Sequence, residues 1–212
     1  MASMLISRAR VALMKSRKTD ALVIGIAGTP GVGKSYFSKK LFDKLRSAGI
    51  AAKIIEINDV VNSENAYGEI DELGSKIIKP DVLRRSMKKA VRKDKICIVV
   101  GHLLPETGLR PKICVVLRQS LHVLEKRMEG RRYAKAKIRE NLLAEAYDDI
   151  GVRMKGKCDE LFEAESDEER ERLMRYLIAV ASGTKSKKPK SREIDKFAEL
   201  EKLILDGNRP GF

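Results

Sequence analysis

The octapeptide GTPGVGKS, Gly28 to Ser35, decides the fold. It matches the spacing G-x-x-x-x-G-K-[ST] in full. Before it stands ALVIGIAG, a short apolar run rich in Val and Ile that reads as a buried strand. After it comes YFSKKLFDKLRSAG, with Phe37, Leu41 and Leu45 on one helical face and Gly49 as a helix stop. A strand, a glycine-rich turn and a helix together cradle phosphate. The glycines let backbone N–H groups turn inward, and the helix N-terminus adds partial positive charge. Lys34 is placed to reach the β- and γ-phosphates, and the Ser35 hydroxyl suits Mg²⁺.

Outward from this loop, strands alternate with helices. AAKIIEIND, KICIVV, KICVVL and DELFEA read as further strands. Residues 62–74 read as polar and irregular. Helical spacing runs through 81–92, through SLHVLEKRMEG, and through one long helix from about 136 to 154. Ser166 with Glu169 forms a capping box for a helix ending near Ser182. Strands apolar along their whole length, separated by helices, predict a three-layer α/β fold: a parallel sheet with helices on both faces.

Length and composition set the remaining bounds. At 212 residues and 43% hydrophobic content, the chain can bury one substantial core. With 5% aromatic residues and no Trp, that core is aliphatic. No apolar run reaches the length of a membrane span. Cys97, Cys114 and Cys158 lack metal-ligand spacing, and a reducing, cytoplasmic location is expected. The net charge of +14 attracts polyanions. It is concentrated in GTKSKKPKSR, residues 183–192, and between Lys126 and Arg139. Residues 1–20 read as a basic amphipathic arm, 21–182 as the main domain, and 183–212 as a basic linker and an amphipathic helix that either docks or meets a partner.

A phosphate cradle does not choose among motors, GTPases and kinases. No N-K-x-D is present for guanine, and the chain is short for a helicase or transporter ATPase. Small kinases in which short segments close over two substrates fit best. Arg127, Arg131 and Arg132 lie in and beside a turn between two helices, where guanidinium groups can neutralise charge on a moving phosphoryl group.

Taken together, IAGTPGVGKS, the GH after the third strand, VVLR, LEKRMEGRRY and AKAKIRENLLAEAYD resemble the archaeal-eukaryotic adenylate kinase family whose eukaryotic members are nuclear. The similarity runs from about residue 21 to 181. It implies a P-loop nucleoside monophosphate kinase fold, with an NMP-binding segment near 58–93 and a LID near 127–140. It implies adenylate kinase activity (ATP and AMP to two ADP), ATPase activity, and Mg²⁺ held at Ser35. It also implies a role in small-ribosomal-subunit maturation, with binding to a platform ribosomal protein and action near the 3′ end of small-subunit rRNA; the basic tails, outside the resemblance, are expected to contact rRNA through their charge. By position, Gly28, Thr29, Pro30, Gly31, Val32, Gly33, Lys34, Ser35 and Tyr36 would hold ATP. Asn58 and Asp59 open the NMP segment, with Arg84 and Arg85 as further candidates. Arg127 and Arg131 belong to the LID, and His102 falls on the family's acid-x-His motif.

The chain departs from the family at four places, one of them a shorter loop after His102. Val100 stands where the motif has a carboxylate, with Asp59 and Glu106 as candidate substitutes. Asn62 stands near the usual AMP-phosphate arginine. Arg132 stands where glycine usually precedes tyrosine. An ATP-switched assembly factor with little AMP kinase activity, a kinase for another small acceptor, and an RNA-binding module therefore stay open beside the adenylate kinase reading.

Overall fold

A computed structural model of the protein describes residues 21–72, 74–91, 96–191 and 194–205. The expected amino-terminal arm, the end of the expected NMP-binding segment at 92–93 and the last residues, 206–212, lie outside the described residues.

Five parallel strands make the central sheet: β1 (Val23–Ala27), β2 (Ala52–Glu56), β5 (Ile96–Val100), β6 (Ile113–Leu117) and β7 (Glu160–Ala164). Their order is β2-β5-β1-β6-β7, so the chain reverses its direction of winding at β1. Such a switch point leaves a crevice beyond the carboxyl ends of the strands. The helices are α1 (Lys34–Ser47), α2 (Ile57–Ser63), α3 (Pro80–Ala90), α4 (Leu121–Gly130), α5 (Lys135–Ala146), α6 (Asp149–Met154), α7 (Asp167–Ala181) and α8 (Phe197–Leu205).

Alternation along the strands fills two cores. Ile24, Ile26, Ile98, Val100, Val115 and Leu117 pack with Phe37, Leu41, Leu45, Leu124 and Leu177. Val23, Ala27, Cys97, Val99, Cys114 and Val116 pack with Leu83, Met87, Ile150 and Met154 on the other face. The three-layer fold expected from the apolar runs is therefore present. Gly25 permits close packing at the middle of β1: a Cβ there would lie 2.6 Å from Leu104 Cδ2 and 2.9 Å from Cys114 Sγ.

Several local expectations change. Residues 62–74 are not simply irregular, because β3 (Tyr67–Ile70) pairs antiparallel with β4 (Lys76–Ile78). The single helix expected from 136 to 154 is two helices. Asp148 breaks it, with φ 52°, while its carboxylate accepts from Gly151 N and pairs with Arg118. The capping box at Ser166 and Glu169 forms as expected. The carboxy-terminal segment docks on the body. Ile194, Leu200 and Leu203 are buried, Lys196 is 1% exposed between Glu165 and Glu199, and Glu199 Oε2 accepts from Leu121 N at 2.7 Å. Among the described residues no helix is long and apolar enough to cross a membrane.

Candidate active site

The loop between β1 and α1 curls around its own lysine. Lys34 Nζ donates to Gly28 O at 2.8 Å and to Thr29 O at 3.0 Å. Gly28, Gly31 and Gly33 all have positive φ. At Gly28 a Cβ would lie 2.4 Å from Leu117 O, so a larger residue would collide with β6. Burial pushes Lys34 down to about 8, against the pull of the Glu145 and Glu56 carboxylates and with the help of Arg131. The Ser35 hydroxyl is exposed at the first turn of α1 and makes no hydrogen bond among the described residues.

Cations converge on this loop from distant parts of the chain. Arg127 Nη1, on α4, donates to Gly31 O at 3.0 Å. Arg131 follows at the end of α4, close enough for its charge to act on Lys34. Arg132 takes φ 60°, the conformation a glycine would supply, at a cost of about 1–2 kcal/mol. Arg170, in the first turn of α7, was not among the expected residues. Its Nη2 donates to Val32 O at 3.3 Å and to Arg118 O at 2.8 Å, while its buried Nε has no partner among the described residues. Nothing local marks it in the sequence, because its place depends on β7 lying beside β6.

Behind the loop lies a buried ionic cluster. Thr29 Oγ1 donates to Glu145 Oε2 at 2.6 Å. Glu145 also accepts from Arg118 Nε and from Gln119 N, each at 3.0 Å. Arg118, 1% exposed, pairs further with Asp148 and with Glu163. A buried guanidinium with three carboxylates has its charge and its hydrogen bonds met, as burial requires.

His102 follows β5, on the same edge of the sheet as the loop after β1. Burial pushes its imidazole down to about 4, and the charges of Lys34, Lys137 and Arg153 push the same way. It is therefore neutral at physiological pH. Of the candidate acids, Glu106 is held by Arg153 in an ion pair. Asp59 is exposed on α2.

The expected acceptor residues are less well gathered. Asn58 is exposed on α2, and Arg84 and Arg85 are exposed on α3. Arg84 reaches Asp81 at 3.5 Å and lays its stem against Gly108. Among the described residues, neither arginine bonds to the phosphate loop or to His102. Instead Lys76, on β4, donates to Asn62 Oδ1 at 2.5 Å and sits 3.9 Å from the Tyr67 ring centre. Lys137, on α5, reaches across to the Ser75 hydroxyl. The hairpin and the helix after the arginine turn are thus joined.

Sequence and fold comparisons point the same way. An AAA domain family model matches residues 24–148. A protein of Methanococcus maripaludis named "Putative adenylate kinase" is 34% identical over 161 residues, 74% of this chain and 87% of its own. One of the same name from Methanocaldococcus jannaschii is 37% identical over 139 residues, 65% of this chain and 75% of its own. A shikimate kinase from Acinetobacter baumannii, solved with shikimate, shares the fold at a TM-score of 0.51 and 14% identity, over 79% of this chain and 96% of that one. Identity at the level of the archaeal relatives, carried across most of both chains, makes this protein a member of the adenylate-kinase-like family of P-loop phosphotransferases.

Proposed function

We propose that the protein transfers the γ-phosphoryl group of ATP to AMP, giving two ADP. The observation that carries this reading is the meeting of a lysine-bearing phosphate loop with Arg127, which bonds Gly31 O, at the sheet edge where His102 follows β5 and feels the Lys34 charge. Catalysis of phosphoryl transfer is mostly positioning and charge stabilisation. Lys34 exchanges its two carbonyl partners for phosphate oxygens, and Arg127 and Arg131 lie over the charge that develops on the moving group. Backbone N–H groups of residues 31–35 hold the β-phosphate, and Tyr36 flanks them. The AMP phosphate falls to Lys76, where Asn62 replaces the arginine of related kinases.

The residues also fit Mg²⁺. Oxygen donors suit this hard cation, which keeps several waters and needs few protein ligands. The unbonded Ser35 hydroxyl and the Glu56 carboxylate close to Lys34 are such donors. Among the described residues no cluster of three or more His, Cys, Asp or Glu forms a dedicated cage. When bound, the ion neutralises charge on the phosphate oxygens.

A second reading, slow ATP hydrolysis serving assembly of the small ribosomal subunit, draws support from the same neutral His102. An uncharged imidazole at this edge of the sheet can accept a hydrogen bond from an attacking water and orient it. The basic linker at 183–192 supplies a surface for rRNA or for an acidic ribosomal protein. ADP formation from ATP, measured with and without AMP in wild type and His102→Ala, separates the two. AMP-dependent ADP formation supports the kinase. Slow AMP-independent release lost in His102→Ala supports the hydrolase. Lys34→Ala retaining either activity would overturn the site.

A further inference from the structure

Val100 leaves the end of β5 without the acid that phosphoryl-transfer sites place there to hold the metal's shell. The sheet register shows what stands beside it. In the parallel pairing of β2 with β5, Glu56 is the partner of Val100, and each is the last residue of its strand. Partners in register project to the same face of a sheet. Val100 packs in the core beneath α1, and Ala52 and Ile54, at alternate positions along β2, pack against that same core. Glu56 is next in that alternation. It therefore lies on the side of the sheet covered by α1, whose first turn carries Lys34 and Ser35.

The state of this carboxylate fits the placement. Glu56 is half-buried, yet it makes no hydrogen bond or ion pair among the described residues. Burial raises its pKa first and Asp59 second, while Lys34 lowers it; the Glu56 charge in turn raises that of Lys34. Of the other acids near the loop, two are occupied and Asp59 is exposed on α2. Glu145 bonds Thr29, Arg118 and Gln119, and Glu106 bonds Arg153. Strands lie about 4.8 Å apart. A carboxylate moved out by one strand gains reach by being glutamate, one methylene longer than aspartate.

Resting on the nucleotide-binding reading above, we infer that Glu56 is the metal-site carboxylate of this protein, acting from β2 in place of the acid missing at Val100. It would accept hydrogen bonds from water bound to the divalent cation of the nucleotide, which the Ser35 hydroxyl would also help to hold. No bond is made or broken by Glu56, so it is a positioning residue and not the catalytic base.

Mn²⁺ with ADP is the probe. Free Mn²⁺ is read by electron paramagnetic resonance in full-length wild type, Glu56→Gln, Glu56→Asp, Asp59→Asn and Glu56→Gln/Val100→Asp. ADP affinity is measured in parallel with EDTA. Glu56→Gln should weaken Mn²⁺ binding to the ADP complex roughly 10–100-fold and leave metal-free ADP affinity within about twofold. Glu56→Asp, which keeps the charge, should lose less. Asp59→Asn should match wild type. Val100→Asp should restore part of the loss. Wild-type Mn²⁺ affinity in Glu56→Gln, or a loss confined to Asp59→Asn, overturns the inference while the nucleotide site stands. If Glu56→Gln does not fold, Glu56→Asp with undiminished Mn²⁺ affinity overturns it instead. A wild type that binds no ADP, with or without metal, overturns the nucleotide reading and this one with it.

Discussion

The Thr29 hydroxyl donates to Glu145 Oε2 at 2.6 Å, joining the phosphate loop to the last turn of α5, the helix that follows the arginine-bearing turn. Glu145 is 2% exposed and also holds Arg118. Glu145→Ala removes one carboxylate from a buried guanidinium and leaves the Thr29 hydroxyl unpaired. Loss of a buried partner of this kind costs about 3–5 kcal/mol. Thr29→Val removes only one hydrogen bond and should cost about 1 kcal/mol. Urea unfolding of the two variants checks both the size and the ranking.

Lys34 makes nucleotide affinity depend on pH. Its ammonium sits at about 8 in the free protein, below the ordinary lysine value. Phosphate beside it favours the charged form, so binding takes up a proton above that pH. ATP affinity should then fall by up to about tenfold per pH unit above 8. Stability of the free protein moves the other way. Between 8 and the ordinary lysine range the unfolded chain holds more protons, so this group's contribution improves as pH rises. Calorimetric titrations in buffers of different ionisation enthalpy would count the protons. A pH-independent affinity from 7 to 10 would contradict the buried ammonium.

His102 should not titrate in the neutral range. Its imidazole is pushed down to about 4, so it stays uncharged through physiological pH. The Cε1 proton resonance of His102, assigned by its loss in His102→Asn, should keep its neutral-form position as acid is added until pH is close to 4. Because the folded-state value is depressed, the unfolded chain binds the extra proton first. Stability from this group is present above the ordinary histidine value and is lost as pH falls towards 4.

Lys76 is the test of the acceptor side. Lys76→Met keeps the apolar stem over Tyr67 and removes the cation from Asn62. Loss of a charged hydrogen bond to phosphate is worth roughly 1.5–3 kcal/mol, so KM for AMP should rise about tenfold or more. Hydrolysis of ATP without AMP should be unchanged. Equal effects on both activities would place Lys76 outside the acceptor site.

The docked tail contributes to the fold. Leu200 is 4% exposed in the core that backs α5. Leu200→Ala should destabilise the protein by about 2 kcal/mol or more, read as a lower urea midpoint. An unchanged midpoint would mean that residues 194–205 leave the body without consequence.

The parts legible in the sequence are those where one physical signal dominates. ALVIGIAG, KICIVV and KICVVL are buried on both faces, so their continuous apolar runs mark strands without reference to the rest of the chain. The loop at 28–35 is legible because only glycine tolerates its turns. The hairpin of β3 and β4 is not, since its residues are exposed or half-exposed on both faces and carry no alternation. The helix break at Asp148 depends on Arg118, thirty residues away in sequence, which draws its carboxylate inward. Lys76, Arg170 and Glu56 share that character. Each is an ordinary surface-type residue until the pairing of strands brings it to the crevice.

Arg118 faces Glu145, Asp148 and Glu163, a cluster with two more negative charges than positive. In front of it stand Lys34, Arg127 and Arg170. The charge of Glu145 acts on both Lys34 and Arg170. The crevice thus carries internal counter-ions, and its cations need not recruit them from solution. An arriving triphosphate takes over a role that the protein's own carboxylates already fill in part. Its binding should therefore release fewer salt anions than the number of cations in the crevice would suggest, and should depend less on ionic strength.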